Sequence, residues 1–119
     1  MNSDMPQSAQ HIATRYFEMW NTGDPSIADE ILSPDWIDHA HPEVTGPHHV
    51  RQAVERIRTA QPDLRFQIDS ILGDSDLVAI VGSAGHGPQD NPTTTRLVWL
   101  IRVQDGRLAE MWTYRDATK

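Results

Sequence analysis

The 119-residue chain contains no cysteine, and its ten lysine and arginine residues are outnumbered by 17 aspartates and glutamates, which leaves a formal charge of −7. The absence of cysteine excludes disulfides, thiolate nucleophiles and cysteine zinc sites, and it is typical of proteins in a reducing compartment. We therefore expect a cytoplasmic protein. Because no basic cluster interrupts the acidic balance, a phosphate backbone would be repelled, and nucleic acid is not an expected partner.

Long hydrophobic runs are also missing from the sequence. No apolar stretch approaches the roughly 20 residues that cross a bilayer, and the first ten residues lack the basic and apolar segments of a secretory signal. We expect neither membrane insertion nor secretion. The length and the 38% hydrophobic content fit one domain, residues 1–119, built around a single core.

The N-terminal segment has the apolar spacing of a helix of about 15 residues. Asp4 and Gln7 fit a capping pair at its start, and Gly23 supplies the left-handed residue that ends it. The apolar stripe consists of Ala9, Ile12, Ala13, Tyr16, Phe17 and Trp20.

The positions of the prolines predict where two further helices begin and end. Asp24 and Pro25 fit the N-cap and first position of a second helix, which Ser33 and Pro34 end. Residues 36–39 predict a short extended segment, and Pro47 opens a third helix that ends before Pro62.

After residue 63 the apolar period changes from that of a helix to that of a strand. Residues 64–69, 77–85, 94–103 and 108–115 predict four strands in a meander. Three helices, one short strand and four strands are the element order of an α+β domain.

The dipeptide Asp105-Gly106 predicts a tight hairpin in which Val103 faces Leu108. Continued in antiparallel register, this pairing sets Trp99 opposite Trp112 on a face that we expect to form a pocket wall. The same face carries Leu97, Ile101, Glu110 and Tyr114. The other face bears Val98, Leu100 and Met111, an apolar strip that predicts a homodimer.

Five short segments in this order resemble SnoaL-like polyketide cyclases of the nuclear-transport-factor-2-like superfamily, over nearly the whole chain. The resemblance implies an α+β cone in which three N-terminal helices pack on a curved, mainly antiparallel sheet that encloses a pocket. In that superfamily the pocket serves cyclisation, isomerisation, dehydration or epoxide hydrolysis, and in some members only binding. The segments are Tyr16-Phe17-Glu18-Met19-Trp20-Asn21-Thr22-Gly23-Asp24, Asp38-His39, Pro62-Asp63-Leu64, Gly85-His86-Gly87 and Asp105-Gly106-Arg107-Leu108-Ala109-Glu110-Met111-Trp112.

The resemblance implies catalytic roles for Asp38, His39 and His86. His39 stands near the position from which steroid isomerases of the superfamily project their base, and a histidine with a pKa of about 6.5 suits proton abstraction near neutral pH. His86 matches a histidine at the cavity mouth, where its protonated form would stabilise charge on a carbonyl oxygen. The alternative is that Asp38-His39 merely caps a turn and that His86 bonds to a neighbouring loop.

Six aromatic residues are predicted to bind the ligand, since flat apolar rings suit a polycyclic or aromatic molecule. Tyr16 resembles the helix-one tyrosine with which steroid isomerases donate a hydrogen bond to the developing oxyanion. The alternative is that aromatic residues at these spacings simply form the core. The six are Tyr16, Trp20, Trp36, Trp99, Trp112 and Tyr114.

The sequence departs from the family pattern in its last strand. Many SnoaL-like proteins read His-Trp-Asp where this chain has Met111-Trp112-Thr113, so the acid of the cyclases is missing there. We expect a cofactor-independent enzyme, without metal, that transfers protons on an apolar carbonyl ligand by aldol cyclisation, isomerisation or dehydration. The missing acid favours the alternative, a non-catalytic ligand-binding or assembly domain.

Overall fold

The computed structural model describes residues 8–88, 90 and 92–115. Three helices pack on a five-stranded mixed sheet, which does not close into a barrel. The α+β class and the predicted order of elements are confirmed. The elements are α1 (Ala9–Thr22), α2 (Ile27–Ile31), β1 (Leu32–Asp38), α3 (Gly46–Ala60), β2 (Arg65–Gly73), β3 (Leu77–His86), β4 (Thr93–Gln104) and β5 (Arg107–Arg115). The strands lie in the sheet in the order β1-β5-β4-β3-β2.

Helix α1 is capped at both ends by hydrogen bonds. The Ser8 side chain accepts a hydrogen bond from the His11 N–H at 3.1 Å, and Gly23, with φ 77°, donates its N–H to the Met19 carbonyl at 2.9 Å. The predicted end at Gly23 is confirmed. The predicted cap at Asp4 and Gln7 lies outside the described residues, and Ser8 is the N-cap.

Asn21, in the last turn of α1, ties the helix to the sheet. Its side chain accepts from the Phe66 N–H at 2.7 Å and donates to the Phe66 carbonyl at 2.9 Å. The amide therefore satisfies both backbone groups of one β2 residue, as a neighbouring strand would. This pairing holds the aromatic end of α1 against the sheet.

The second and third helices begin near their predicted positions. Helix α2 has Ser26 as its N-cap, so the predicted cap at Asp24 is wrong by two residues. Asp24 instead closes a turn before the helix, accepting from the Ser26 N–H at 3.0 Å. Helix α3 follows Thr45 and carries Pro47 in its first turn, as predicted.

Strand β1 lies parallel to β5 at the edge of the sheet. An edge strand tolerates proline, which explains why Pro34 lies within β1 rather than in a loop. Alternation along the strand buries Trp36 and Asp38 and leaves Ile37 exposed. Asp38 therefore points to the helix-covered side, and His39 follows on the opposite side.

The β4–β5 hairpin contains a bulge that changes the predicted register. Val103 pairs with Leu108 as expected, but Arg102 pairs with Glu110, which leaves Ala109 as an extra residue in β5. Beyond the bulge Trp99 pairs with Thr113 and Leu100 with Trp112, so the predicted pairing of Trp99 with Trp112 is wrong. A one-residue slip moves every later side chain to the other face of a strand.

The faces of β5 are accordingly exchanged relative to the prediction. Met111 and Thr113 lie on the inner face with Trp99, whereas Trp112 and Tyr114 lie on the outer face. Glu110, predicted on the pocket face, is also on the outer face, beside Arg102. The faces predicted for β4 itself are confirmed, because Leu97, Trp99 and Ile101 are its more buried residues.

The core joins the inner sheet face to the buried stripes of the helices. Its largest fully buried side chains include Trp36, Phe17, Met19, Ile31, Leu32, Ile80, Ile101 and Leu108. Within the described ranges, no helix combines the length and apolarity needed to span a membrane.

Candidate functional site

A cavity of about 520 Å³ lies between α1, α3 and the inner face of the sheet. Its volume is in the range of pockets that enclose small organic ligands. Buried residues from five elements form its interior, among them Phe17, Val50 and Trp99. Exposed polar residues form its rim: His41, Glu43, Arg56, Gln61 and Arg115.

Asp38 brings a carboxylate into this cavity. It is only 7% exposed, and among the described residues it is the buried charged side chain. One carboxylate oxygen accepts from the Ala40 N–H at 3.0 Å, and the other lies 3.4 Å from His41 Nδ1. Buried carboxylates require such partners, and these two leave lone pairs of Asp38 free for a ligand.

Tyr16 brings a phenol into the same cavity from α1. Burial raises the pKa of Tyr16 above its ordinary value of 10.0, the Asp38 charge raises the pKa further, and the nearby Trp20 indole opposes part of the rise. The phenol therefore keeps its proton at neutral pH and can donate a hydrogen bond. The Tyr16 ring packs on Trp36 with centroids 5.5 Å apart.

Aromatic rings line one wall of the cavity. Trp99 packs against Phe17 and Phe66, at centroid distances of 4.6 and 6.0 Å, and Trp20 lies 6.3 Å from Phe66. Tilted and edge-to-face contacts of this kind hold rings in fixed positions. The wall is apolar and aromatic, and it suits an aromatic or polycyclic ligand.

His39 lies on the outer face of the sheet. Its ring stacks on Trp112, with centroids 4.8 Å apart and planes within 7°, and its Nε2 is 2.7 Å from Glu110 Oε2. Neither His39 nor Trp112 lines the cavity. The strand alternation that turns Asp38 inward turns His39 outward.

His86, Tyr114 and Trp36 are also absent from the cavity lining. His86 is exposed at the end of β3, where it pairs with Thr93, and Tyr114 is 52% exposed on the outer face. Trp36 is fully buried behind Tyr16, and its indole N–H has no acceptor among the described residues. Of the residues predicted for the site, the structure brings together Asp38, Tyr16, Trp20 and Trp99, whose roles remain predictions.

The sequence did not single out several residues that the structure adds to the cavity. Phe66 follows from the alternation in β2, and Thr113 follows only from the bulge at Ala109. Arg56 lies one turn after Ala53 at the edge of the buried stripe of α3, a weak signal. Thr113 lines the cavity from the inner face of β5, beside Met111.

Within residues 8–88, 90 and 92–115, no group of three or more histidine, aspartate or glutamate side chains could hold a metal ion.

The comparisons with known proteins agree with this architecture. The family model described as a SnoaL-like domain matches residues 13–111, whereas no curated protein sequence matches the chain. Among solved structures, a SnoaL-like polyketide cyclase from Agrobacterium tumefaciens is 15% identical, with 93% of both chains covered and a TM-score of 0.76.

Two further solved structures are similar. IdmH from Streptomyces antibioticus is 24% identical, with 89% of this chain and 90% of that chain covered and a TM-score of 0.71. A protein with a ketosteroid isomerase-like fold from Catenulispora acidiphila, in complex with trimethylamine, is 17% identical, with 93% and 88% covered and a TM-score of 0.74. At these identities the likeness is one of fold.

Proposed function

Because the chain belongs to the SnoaL-like domain family, we propose that its cavity removes a proton from the carbon next to a carbonyl group of an apolar ligand. Asp38 is the base, and Tyr16 donates a hydrogen bond to the carbonyl oxygen. The observation that supports this is that a buried carboxylate and a protonated phenol line one apolar cavity. Aldol cyclisation, isomerisation and dehydration all begin with this step.

In the proposed step the carbon–hydrogen bond breaks and its proton moves to an oxygen of Asp38. The released electron pair forms a carbon–carbon double bond, and the carbonyl π pair moves to the oxygen as an enolate. The Tyr16 O–H donates to this oxygen as its charge develops, in a cavity where little water competes. The enolate then takes a proton back or attacks a second carbonyl.

His41 gives the proton a route to solvent. Its Nδ1 lies 3.4 Å from Asp38 Oδ2, and its side chain is 65% exposed. A proton taken up by Asp38 can therefore pass to the imidazole and then to water. His39 and His86, predicted from the sequence as proton carriers, have no part in this step because neither lines the cavity.

The proposal is tested by hydrogen exchange into a neutral ketone in heavy water. Acetonaphthone has an aromatic body and exchangeable hydrogens next to its carbonyl, and NMR follows their loss. We expect the protein to accelerate this exchange over buffer. Asp38→Asn should reduce the accelerated rate by about 100-fold or more, the usual contribution of a positioned base, and Tyr16→Phe by about tenfold or more.

Asp35→Asn is the matched control, because Asp35 lies on the same strand with its side chain exposed. This variant should exchange the ketone hydrogens at the wild-type rate. An Asp38→Asn variant that also exchanges them at the wild-type rate would contradict the proposal.

A non-catalytic binding role is the second candidate. Thr113 stands where the family pattern has an acid, so the cavity has one carboxylate fewer among its described interior residues. Wild-type protein that binds acetonaphthone in calorimetry without accelerating exchange would favour this second role.

A further inference from the structure

Two arginines at the cavity rim differ from the other arginines of the chain. The chain has nine, and seven of them lie within ion-pair or hydrogen-bond distance of a carboxylate or a carbonyl oxygen. For Arg56 and Arg115 no such acceptor lies among residues 8–88, 90 and 92–115. Both of them line the cavity.

The fold brings these two cations to one opening from different elements. Arg56 is one turn after Ala53 on α3, whose Val50 and Ala53 form part of the wall. Arg115 follows Met111 and Thr113 on the inner face of β5, the face to which the bulge turns alternate residues, and it pairs with Leu97. The chain has a formal charge of −7, but the mouth of this cavity is locally basic because it carries both arginines.

We propose that the ligand carries an oxyanion, a carboxylate or a phosphate, that Arg56 and Arg115 bind at the cavity mouth. This inference rests on the proposed function, since it names the class of its substrate: a carbonyl compound with an apolar body and an anionic end. A guanidinium group presents paired N–H donors that match both oxyanions. Gln61, also on the rim, can add an amide donor.

The charges of the cavity also set the orientation of such a ligand. The buried Asp38 carboxylate repels an anion from the interior, whereas the two guanidinium groups attract it at the mouth. The carbonyl end is therefore directed inward to Tyr16 and Asp38. Glu43 is the acid of the described rim, and it pairs with neither arginine.

The test compares three ligands of one shape by calorimetry: β-naphthoylpropionate, its methyl ester and the corresponding phosphonate. We expect the wild-type protein to bind at least one of the two anions about tenfold or more tightly than the neutral ester, the size of a charge-assisted hydrogen-bonded pair near a surface. Added salt should weaken binding of the anion and leave that of the ester nearly unchanged. The tighter anion identifies which oxyanion the mouth prefers.

Arg56→Gln and Arg115→Gln, singly and together, should bring the affinity for the anion down to that for the ester. Arg51→Gln is the matched control, because Arg51 lies on the same helix but pairs with Asp29 outside the cavity; it should retain the preference. Equal affinity for anion and ester in the wild type, or a preference that survives the double substitution, would overturn the inference.

Because this readout is binding, its outcome is separate from that of the exchange experiment. A preference for the anion without hydrogen exchange supports the anion site and contradicts only the proposed catalysis. Exchange of acetonaphthone without any preference for the anion supports the proposed catalysis and contradicts only the anion site.

Discussion

The Nε2 atom of His39 lies 2.7 Å from Glu110 Oε2, and the other oxygen of Glu110 accepts from Arg102 Nε at 2.6 Å. One carboxylate thus joins the turn after β1 to strands β4 and β5 across the outer face of the sheet. The hydrogen bond from His39, and then that from Arg102, lowers the pKa of Glu110 below its ordinary value of 4.5. The Glu110 side chain is 18% exposed, so solvent screens this cluster only in part.

Replacing Glu110 with glutamine should therefore destabilise the protein in a pH-dependent way. A carboxylate whose pKa is lowered by folding adds stability above its unfolded pKa, and this stability is lost as pH falls through the folded value. Glu110→Gln should lower the free energy of unfolding by about 1 kcal/mol at neutral pH. Urea denaturation at a series of pH values should show the difference from wild type closing below pH 4.5.

Glu55→Gln controls for the loss of one negative charge, because Glu55 is exposed on α3. A Glu110→Gln deficit that stays constant down to the acid limit would show that the ionised carboxylate contributes nothing specific.

Tyr16 should keep its proton well into the alkaline range. The chain has two tyrosines, so Tyr114→Phe leaves Tyr16 as the sole source of tyrosinate absorbance. Because burial raises the pKa above 10.0, the neutral phenol stabilises the fold up to that pH, and this stability is lost as pH rises further. The ultraviolet titration should rise late and together with unfolding.

Adding Asp38→Asn to the Tyr114→Phe variant should move the onset of that titration to lower pH, because the Asp38 charge is one cause of the raised pKa. An unchanged onset would mean that the carboxylate and the phenol do not interact in the cavity.

Replacing each of two glycines of β3 with alanine should have different effects on the free energy of unfolding. A Cβ at Gly82 would overlap the carbonyl oxygen of Gln67, at the place where the β2–β3 register shifts. A Cβ at Gly85 would have the Thr93 carbonyl oxygen, at 3.7 Å, as its nearest contact within the part of the chain that the structure describes. Gly82→Ala should cost roughly 2 kcal/mol or more of unfolding free energy, and Gly85→Ala less than about 1 kcal/mol, in urea denaturation. Equal losses would argue against the close approach of β2 at Gly82.

Trp99 and Trp112 lie on the two paired strands of one hairpin, but replacing them with alanine should have different effects on stability. Trp99 is 4% exposed and packs against Phe17, so Trp99→Ala should cost about 3–5 kcal/mol. Trp112→Ala removes a partly exposed ring from the outer face and should cost less than half as much. Comparable losses would favour the unbulged register, in which the two rings share the inner face.

The element order and most of the helix face assignments could be read from the sequence, because periodicity depends only on which residues recur along each element. The stripe of Ile12, Tyr16 and Phe17 and the turn at Asp105-Gly106 have local causes, and both are present in the structure. The resemblance to SnoaL-like proteins depended on the same local features. Residue type and local spacing predict site roles for Asp38, Tyr16, Trp20 and Trp99, but their meeting in one cavity depends on the tertiary structure.

The strand faces of β5 and the set of residues that share the cavity were decided by tertiary structure. An extra residue in one strand leaves no mark on composition or period, so the bulge at Ala109 reversed the predicted faces of Trp112, Tyr114 and Glu110. The choice between Asp38 and His39 depended on which side of β1 faces the helices. The sequence alone determined the kinds of chemistry the chain carries, because those follow from residue types and local spacing. Only the packing of the sheet against α1 and α3 decided which of these side chains share a cavity, because that depends on the register between strands distant in sequence.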